Sequence, residues 1–105
     1  MNTQEYDIYL NRVCAIVVDF MNKAQDGCDD TEHTSEEIKN EFALKPAQLA
    51  AVKITLAHLY AINELNGDDR EYMGMWVGLD CNIIAHILME EWEHLNNETL
   101  RYDEH

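Results

Sequence analysis

The side chains with the clearest potential for chemistry lie near the C-terminus. His86, Glu90 and His94 are four residues apart and therefore share one face of a helix. Imidazole and carboxylate groups are common ligands of divalent transition metals. Glu91 and His94 have the Glu-x-x-His spacing of carboxylate-bridged di-iron bundles, but the second such pair that these bundles need is missing. We therefore favour an ordinary solvated acidic helix end, with no metal, over a carboxylate-histidine metal site.

Other reactive groups also lack the surroundings that catalysis requires. The loop at 26–32 is rich in Asp but lacks the alternating ligands of an EF-hand, and its acids disfavour a thiolate at Cys28. Asp80 and His58 each interrupt an apolar helical face. We predict that Asp80 lies at the edge of the core, where its carboxylate reaches water or an arginine. We predict that His58 is a core or boundary histidine with its hydrogen bonds satisfied. The sequence has no nucleophilic triad, phosphate-binding glycine loop or His-Glu-x-x-His motif. We expect no enzyme activity and no cofactor.

Helical spacing of apolar residues dominates the chain. Apolar side chains recur every three or four positions, and capping residues, glycines and the single proline mark the ends of four segments. The predicted helices cover about residues 3–25, 35–44, 46–66 and 69–96, followed by an acidic tail at 97–105. Thr34 and Glu37 have capping-box spacing before the second helix, and Asp68 and Glu71 have it before the fourth. No segment shows the alternation typical of a strand.

These segments predict an all-α fold, a compact single-domain helical bundle of three long helices and one short helix over residues 1–105. A chain of this length makes one domain and can bury a core without disulfides or metals. Short connections favour antiparallel neighbours. The fourth helix is apolar over a wide arc, so it is either central in the bundle or shared with a second copy. A homodimer through helix 69–96 is one alternative.

A stripe of small residues follows one face of the fourth helix and contains Gly74, Gly78, Asn82 and Ala85. Small side chains allow another helix to approach closely, and each glycine costs up to about 1 kcal/mol relative to alanine in a helix. We interpret the stripe as close packing within the bundle, with close approach of a partner chain as the alternative.

The formal net charge of −14 excludes several classes of partner. Nucleic acids and anionic membranes require clustered Lys and Arg, and the seven basic residues are scattered. A hydrophobic content of 47% is too high for a disordered acidic tail. No apolar run reaches the length of a membrane span, and the N-terminus lacks the basic segment of a signal peptide. Two of the three cysteines lie in apolar segments, so we expect reduced thiols and a cytoplasmic location.

The acidic residues gather in three clusters, at 26–41, 64–71 and 90–104, each with a single basic residue. In the third cluster Glu90 and Glu93 repel each other near a helix end, where the helix dipole also disfavours them. Such a field either serves solubility or steers the protein onto a basic partner. The carboxylates predicted to contact that partner are Asp29, Asp30, Glu32, Glu36, Glu37, Asp68, Asp69, Glu71, Glu90, Glu91, Glu93 and Glu98. Tyr72, Trp92 and Tyr102 are candidate aromatic anchors near them.

The spacing of these carboxylates is compatible with that of DNA phosphates. Carboxylates one helical turn apart are separated by about 6 Å along the axis, and phosphates of one strand advance by about 3.4 Å per step. In size, acidity and helical pattern along the whole chain, the sequence resembles phage-encoded anti-restriction and anti-CRISPR proteins that mimic DNA. The resemblance implies inhibition without chemistry, by occupation of a basic groove meant for DNA or guide RNA. Acidic helical immunity proteins that block nuclease toxins are similar for the same physical reason.

The favoured hypothesis is a small acidic stoichiometric inhibitor that binds a basic nucleic-acid-binding surface of a host defence complex in the host cytoplasm. An immunity protein or antitoxin that neutralises a basic nuclease is the first alternative. The carboxylate-histidine metal-binding bundle is the second.

Overall fold

The computed structural model describes residues 3–89, which form four helices. Helix α1 spans Thr3–Gln25, α2 spans Thr31–Phe42, α3 spans Pro46–Asn66 and α4 spans Arg70–Leu88. No residue in this part of the chain is in a strand, so the all-α prediction is confirmed. The helices are 23, 12, 21 and 19 residues long.

Consecutive helices run antiparallel. Lys23 near the end of α1 meets Asp30 before α2, whereas Arg12 meets Glu41 near the end of α2. The Gln48 side chain near the start of α3 likewise donates to the Ile87 carbonyl oxygen near the end of α4. Helix α4 packs against both α1 and α3 on one side of the bundle, and α2 packs against the same two helices on the other. The order of helices around the bundle is therefore the order along the chain.

The core lies between the four helices and is built from the apolar stripes that the spacing predicts. Side chains at three- and four-residue intervals on one helix face the same direction and become buried together. The fully buried apolar side chains are Val13, Val17, Phe20, Ile38, Val52, Leu56, Leu59, Ile84 and Ala85. None of the four described helices is both long enough and apolar enough to cross a membrane.

Helix α2 begins at Thr31, four residues earlier than predicted, and ends at Phe42. The earlier start is set by the aspartates of the preceding loop. The Asp29 carboxylate accepts hydrogen bonds from the Thr31 backbone N–H at 3.1 Å and from the Thr31 hydroxyl at 2.5 Å. The Asp30 carboxylate accepts from the Thr34 hydroxyl at 3.1 Å. The predicted capping box of Thr34 and Glu37 is therefore wrong, and Thr34 is buried inside the helix.

The connection between α2 and α3 is short and tightly turned. Ala43 adopts the left-handed conformation with φ of 53°, and its backbone N–H bonds the carbonyl of Lys39. Pro46 then opens α3, where its missing N–H costs nothing, and Gln48 accepts a bond from the Lys45 N–H at 2.8 Å. The predicted start of α3 is confirmed, as is its end at Asn66 before Gly67.

Helix α4 begins at Arg70, and its N-cap is Asp69, whose carboxylate accepts a hydrogen bond from the Tyr72 backbone N–H at 3.0 Å. The predicted cap at Asp68 is therefore one residue too early. The helix ends at Leu88. The structure does not describe residues 90–105. The predicted continuation of the helix to residue 96 and the predicted acidic tail at 97–105 therefore lie outside the described residues.

Candidate partner-binding surface

Acidic residues from two of the three predicted clusters meet at one end of the bundle, where α1 and α3 finish and α2 and α4 begin. The Asn63 side chain donates to the Ala24 carbonyl oxygen at 3.2 Å, and the Tyr60 hydroxyl donates to the Gly27 carbonyl oxygen at 3.4 Å. These bonds hold the loop after α1 against the last turns of α3. We call the resulting surface the acidic end. Its carboxylates are Asp26, Asp29, Asp30, Glu32, Glu64, Asp68, Asp69 and Glu71.

The two clusters act on a common point, the hydroxyl of Tyr60. Partial burial raises the pKa of Tyr60 above its ordinary value, and the negative charges of Glu64 and Asp29 raise it further. Glu64 belongs to the second cluster and Asp29 to the first. Their fields therefore overlap at this end, although the two residues are far apart in the sequence.

Few cations compensate the acidic end. Eight carboxylates are accompanied by three basic residues, Lys23, Lys53 and Arg70. Lys23 lies 2.9 Å from Asp30 and Lys53 lies 3.2 Å from Glu32. The hydrogen bond from Lys23, supported by His33 and Thr34, lowers the pKa of the Asp30 carboxyl below its ordinary value. Asp30 is therefore a structural residue that ties α1 to α2.

Four carboxylates of this surface have neither an ion pair nor a side-chain hydrogen bond within the described part of the chain. They are Asp26, Glu64, Asp68 and Glu71, and all four are exposed. A shallow polar pocket of about 510 Å³ lies beside two of them, Glu64 and Asp68, and includes Arg70 in its lining. The pocket is large enough for the end of a basic side chain.

The predicted partner contacts divide into three groups. Asp29, Asp30, Glu32, Asp68, Asp69 and Glu71 lie at the acidic end, although Asp29 and Asp69 also bond the first turns of α2 and α4. Glu36 and Glu37 are exposed on α2, where Glu36 lies 3.8 Å from Lys39. Glu90, Glu91, Glu93 and Glu98 lie outside the described residues, as do the candidate anchors Trp92 and Tyr102. Tyr72 is 36% exposed on α4.

Most of the predicted metal ligands lie outside the described part of the chain. Residues 3–89 contain no group of three or more His, Cys, Asp or Glu placed to hold a metal ion. His86 is the single described member of the predicted ligand set, and its ring centroid lies 5.1 Å from that of Tyr6. Glu90, Glu91 and His94 fall outside the described residues.

The pairing of Asp80 with His58 is a feature that sequence reasoning missed. Asp80 is buried, and its Oδ2 atom lies 2.8 Å from Nδ1 of His58. The prediction that Asp80 is an edge residue that reaches water or an arginine is therefore wrong. One signal was present, since both residues interrupt apolar faces of consecutive antiparallel helices.

The small-residue stripe on α4 does not serve close packing at its glycines. A Cβ atom added at Gly74 or at Gly78 would meet nothing within 4 Å. No described helix therefore approaches α4 closely at these two positions, and the interpretation as close packing within the bundle is wrong for them. Ala85, by contrast, is fully buried.

The fold and this surface define an all-α bundle with one strongly acidic end. Comparison with protein families, curated proteins and solved structures finds no match for the chain. Function is therefore inferred from the geometry and charge of the chain's own residues.

Proposed function

We propose that the protein is a small acidic stoichiometric inhibitor that binds the basic nucleic-acid-binding surface of a host defence complex, in the manner of anti-CRISPR or anti-restriction proteins. The convergence of acidic residues from 26–32 and 64–71 on the acidic end carries the proposal. A concentrated negative field accelerates encounter with a basic surface and sets orientation on it. A groove that binds DNA or guide RNA is a surface of that kind.

The unpaired carboxylates support a binding role. Asp26, Glu64, Asp68 and Glu71 have no cation to release within the described chain, so a partner's Lys or Arg can pair with them without breaking an internal ion pair. Like charges held together also oppose folding. A cluster of this density is therefore costly unless it contributes to solubility or to binding.

Helix α2 extends the negative surface away from the acidic end. Glu32 and Glu36 are both exposed and one helical turn apart, a separation of about 6 Å along the axis that is close to twice the 3.4 Å phosphate step of DNA. Glu37 and Glu41 repeat the spacing. Three of these four carboxylates have a cation beside them: Lys53 for Glu32, Lys39 for Glu36 and Arg12 for Glu41. A protein groove whose basic residues are spaced to contact DNA phosphates therefore meets carboxylates on α2 at a compatible spacing.

Binding to purified targets tests the proposal. The protein is immobilised, and CRISPR effectors, restriction complexes and nuclease toxins are passed over it at low and high salt, with and without competing DNA. We expect one-to-one binding to a member of the first two classes, lost on addition of DNA and weakened by salt, because screening reduces long-range charge attraction. Binding to a nuclease toxin alone would instead favour the immunity-protein alternative.

A matched pair of charge reversals locates the contact. Asp68 and Asp7 are both exposed, and no ion pair is recorded for either in the described chain, but they lie at opposite ends of the bundle. Asp68→Lys should weaken target binding strongly, whereas Asp7→Lys, with the same change of charge, should have a small effect. Equal effects of the two variants, or affinity that does not change with salt, would contradict the proposal.

A further inference from the structure

The outer sides of α3 and α4 are apolar. Ile54 and Leu65 on α3 are 71% and 82% exposed, and the large apolar side chains of α4 on the same side of the bundle are between 36% and 52% exposed. Exposed alanines occupy the positions between Ile54 and Leu65. We call this surface the α3/α4 face. It contains Ala50, Ile54, Ala57, Ala61 and Leu65 from α3, and Tyr72, Met75, Leu79 and Ile83 from α4.

The two helical stripes of the face lie side by side. His58 of α3 contacts α4 twice, with its ring 5.1 Å from that of Trp76 and its Nδ1 atom 2.8 Å from Asp80. Ile54 and Leu65 lie one turn before and two turns after His58 on the same side of α3. On α4, Leu79 and Ile83 follow Trp76 and Asp80 by three residues each, which is again one turn. The stripes therefore border a common seam and form one surface.

The α3/α4 face carries no Asp, Glu, Lys or Arg, although the whole chain has a net charge of −14. Asp80, which is 2% exposed, and its partner His58 lie in the seam between the two helices. Single exposed apolar residues are common on protein surfaces, but a continuous apolar patch indicates an interaction site. At one end the face borders the acidic end, because Leu65 lines the same pocket as Glu64 and Asp68, but the residues of the face itself carry no charge.

The face is large enough for a stable interface. Its six large apolar side chains leave uncovered the equivalent of roughly three fully exposed side chains, on the order of 600 Å² at about 200 Å² each. The exposed alanines and His58 add to this area. A specific interface buries at least about 1,000 Å² in total, or about 500 Å² on each partner.

We propose that the α3/α4 face is the interface of a symmetric homodimer. A basic partner suited to the acidic end would leave its cations unpaired here, at a cost in desolvation, whereas a second copy presents an equally uncharged surface. The face is also self-complementary in size, because the alanines of α3 in one copy leave room for the large side chains of α4 in the other. Positions 50, 54, 57 and 61 and positions 72, 75 and 79 have the alternating three- and four-residue spacing of helices that pack side by side.

The mass of the full chain in solution tests the dimer. Light scattering or sedimentation equilibrium should give twice the chain mass of 12.2 kDa. Ile54→Glu and Leu79→Glu should each raise the dissociation constant of the dimer by at least about 10-fold. Both side chains are half or more exposed, so the variants should keep the far-UV circular dichroism of the wild type.

Val18 provides the matched control. It is 52% exposed against 50% for Leu79, but it lies on α1, outside the face. Val18→Glu should leave the dimer intact. Asp68→Lys, which is designed to weaken target binding, should also leave the dimer intact, so the test of the dimer does not depend on the proposed function. A monomeric wild type would overturn the proposal and assign the face to another occupant, such as residues 90–105 of the same chain. Dissociation by Val18→Glu but not by Ile54→Glu would also overturn it.

Discussion

The imidazole of His58 bonds a carboxylate that is almost completely removed from water. Its Nδ1 atom lies 2.8 Å from Oδ2 of Asp80, which is 2% exposed, whereas the His58 side chain is 44% exposed. A buried carboxylate is costly unless a partner satisfies it. The pair therefore links α3 to α4 halfway along both helices, with Trp76 packed against the imidazole ring.

Removal of the histidine should destabilise the fold. His58→Ala leaves Asp80 buried without this partner, and we expect the free energy of unfolding to fall by about 2 kcal/mol. Asp80→Asn should cost less, because the amide oxygen still accepts a hydrogen bond from Nδ1–H. Urea denaturation followed by circular dichroism measures both variants.

His33 is the control for this pair. Its ring also contacts an aspartate, Asp30, at 3.1 Å, but its side chain is 70% exposed. Exposed ion pairs contribute little, so His33→Ala should cost less than about 0.5 kcal/mol. A loss as large as that of His58→Ala would show that burial of Asp80 is not the cause.

The three thiols should differ in reactivity. Burial, together with the Cys14 thiol and Asp80, raises the pKa of the Cys81 thiol from 9.0 to about 12. Cys28 is exposed. Because the thiolate is the nucleophile, iodoacetamide at neutral pH should modify Cys28 first and Cys81 after unfolding. Peptide mass spectrometry follows each site, and early labelling of Cys81 would contradict the burial of this thiol.

The same thiol should make stability depend on alkaline pH. Between pH 9 and pH 12 the unfolded chain releases the Cys81 proton while the folded chain keeps it. The contribution of Cys81 is therefore complete below pH 9 and is lost as the pH rises through this window. Denaturation at several pH values should show a steeper decline for the wild type than for Cys81→Ala. Tyr9 and Tyr60, whose pKa values are also raised, contribute to both proteins and cancel in the comparison.

The glycines of α4 should be replaceable. An alanine at Gly74 or Gly78 meets no atom within 4 Å of its Cβ, and alanine favours a helix over glycine by about 1 kcal/mol. Each substitution should therefore raise the melting temperature. Gly67→Ala is the opposite case, because its Cβ would lie 2.5 Å from the Asn63 carbonyl oxygen, and it should lower the melting temperature.

Ala43 is a position where glycine should be better than the native residue. Its φ of 53° is in the left-handed region that disfavours side chains, and the cost for a residue other than glycine is about 1 kcal/mol. Ala43→Gly should raise the free energy of unfolding by up to this amount. Ala15→Gly, at an exposed position inside α1, should lower it by a similar amount. A decrease in both variants would contradict strain at Ala43.

The two proposed surfaces should respond oppositely to salt. Binding of a basic target through the acidic end weakens as salt shortens the screening length from about 10 Å at 0.1 M to about 3 Å at 1 M. Self-association through the uncharged α3/α4 face should strengthen, because the same screening reduces repulsion between two chains of charge −14. Titration of both equilibria with NaCl separates the two, and a dimer that dissociates at high salt would contradict an apolar interface.

The number and type of the helices could be predicted from local signals. The apolar period of α1 and α3, Pro46 at the start of α3 and Gly67 after its end act within a few residues, so their effect is visible in the sequence. The predicted start of α2 is four residues too late because Thr34 and the two aspartates before Thr31 all suit a helix N-terminus. The side chains of Asp29 and Asp30 decide between them, because they accept hydrogen bonds from Thr31 and Thr34 and so begin the helix earlier.

The candidate surfaces required the tertiary structure. Composition and spacing alone establish an acidic all-α chain with clustered carboxylates, because charge and helical period are properties of the residues in order. They do not establish that Asp29 and Glu64 act on the same tyrosine, that His58 satisfies Asp80, or that Ile54 and Leu79 share an uncharged face. Each of these depends on the relative position and rotation of helices distant in sequence, which packing of the core determines and no local pattern encodes.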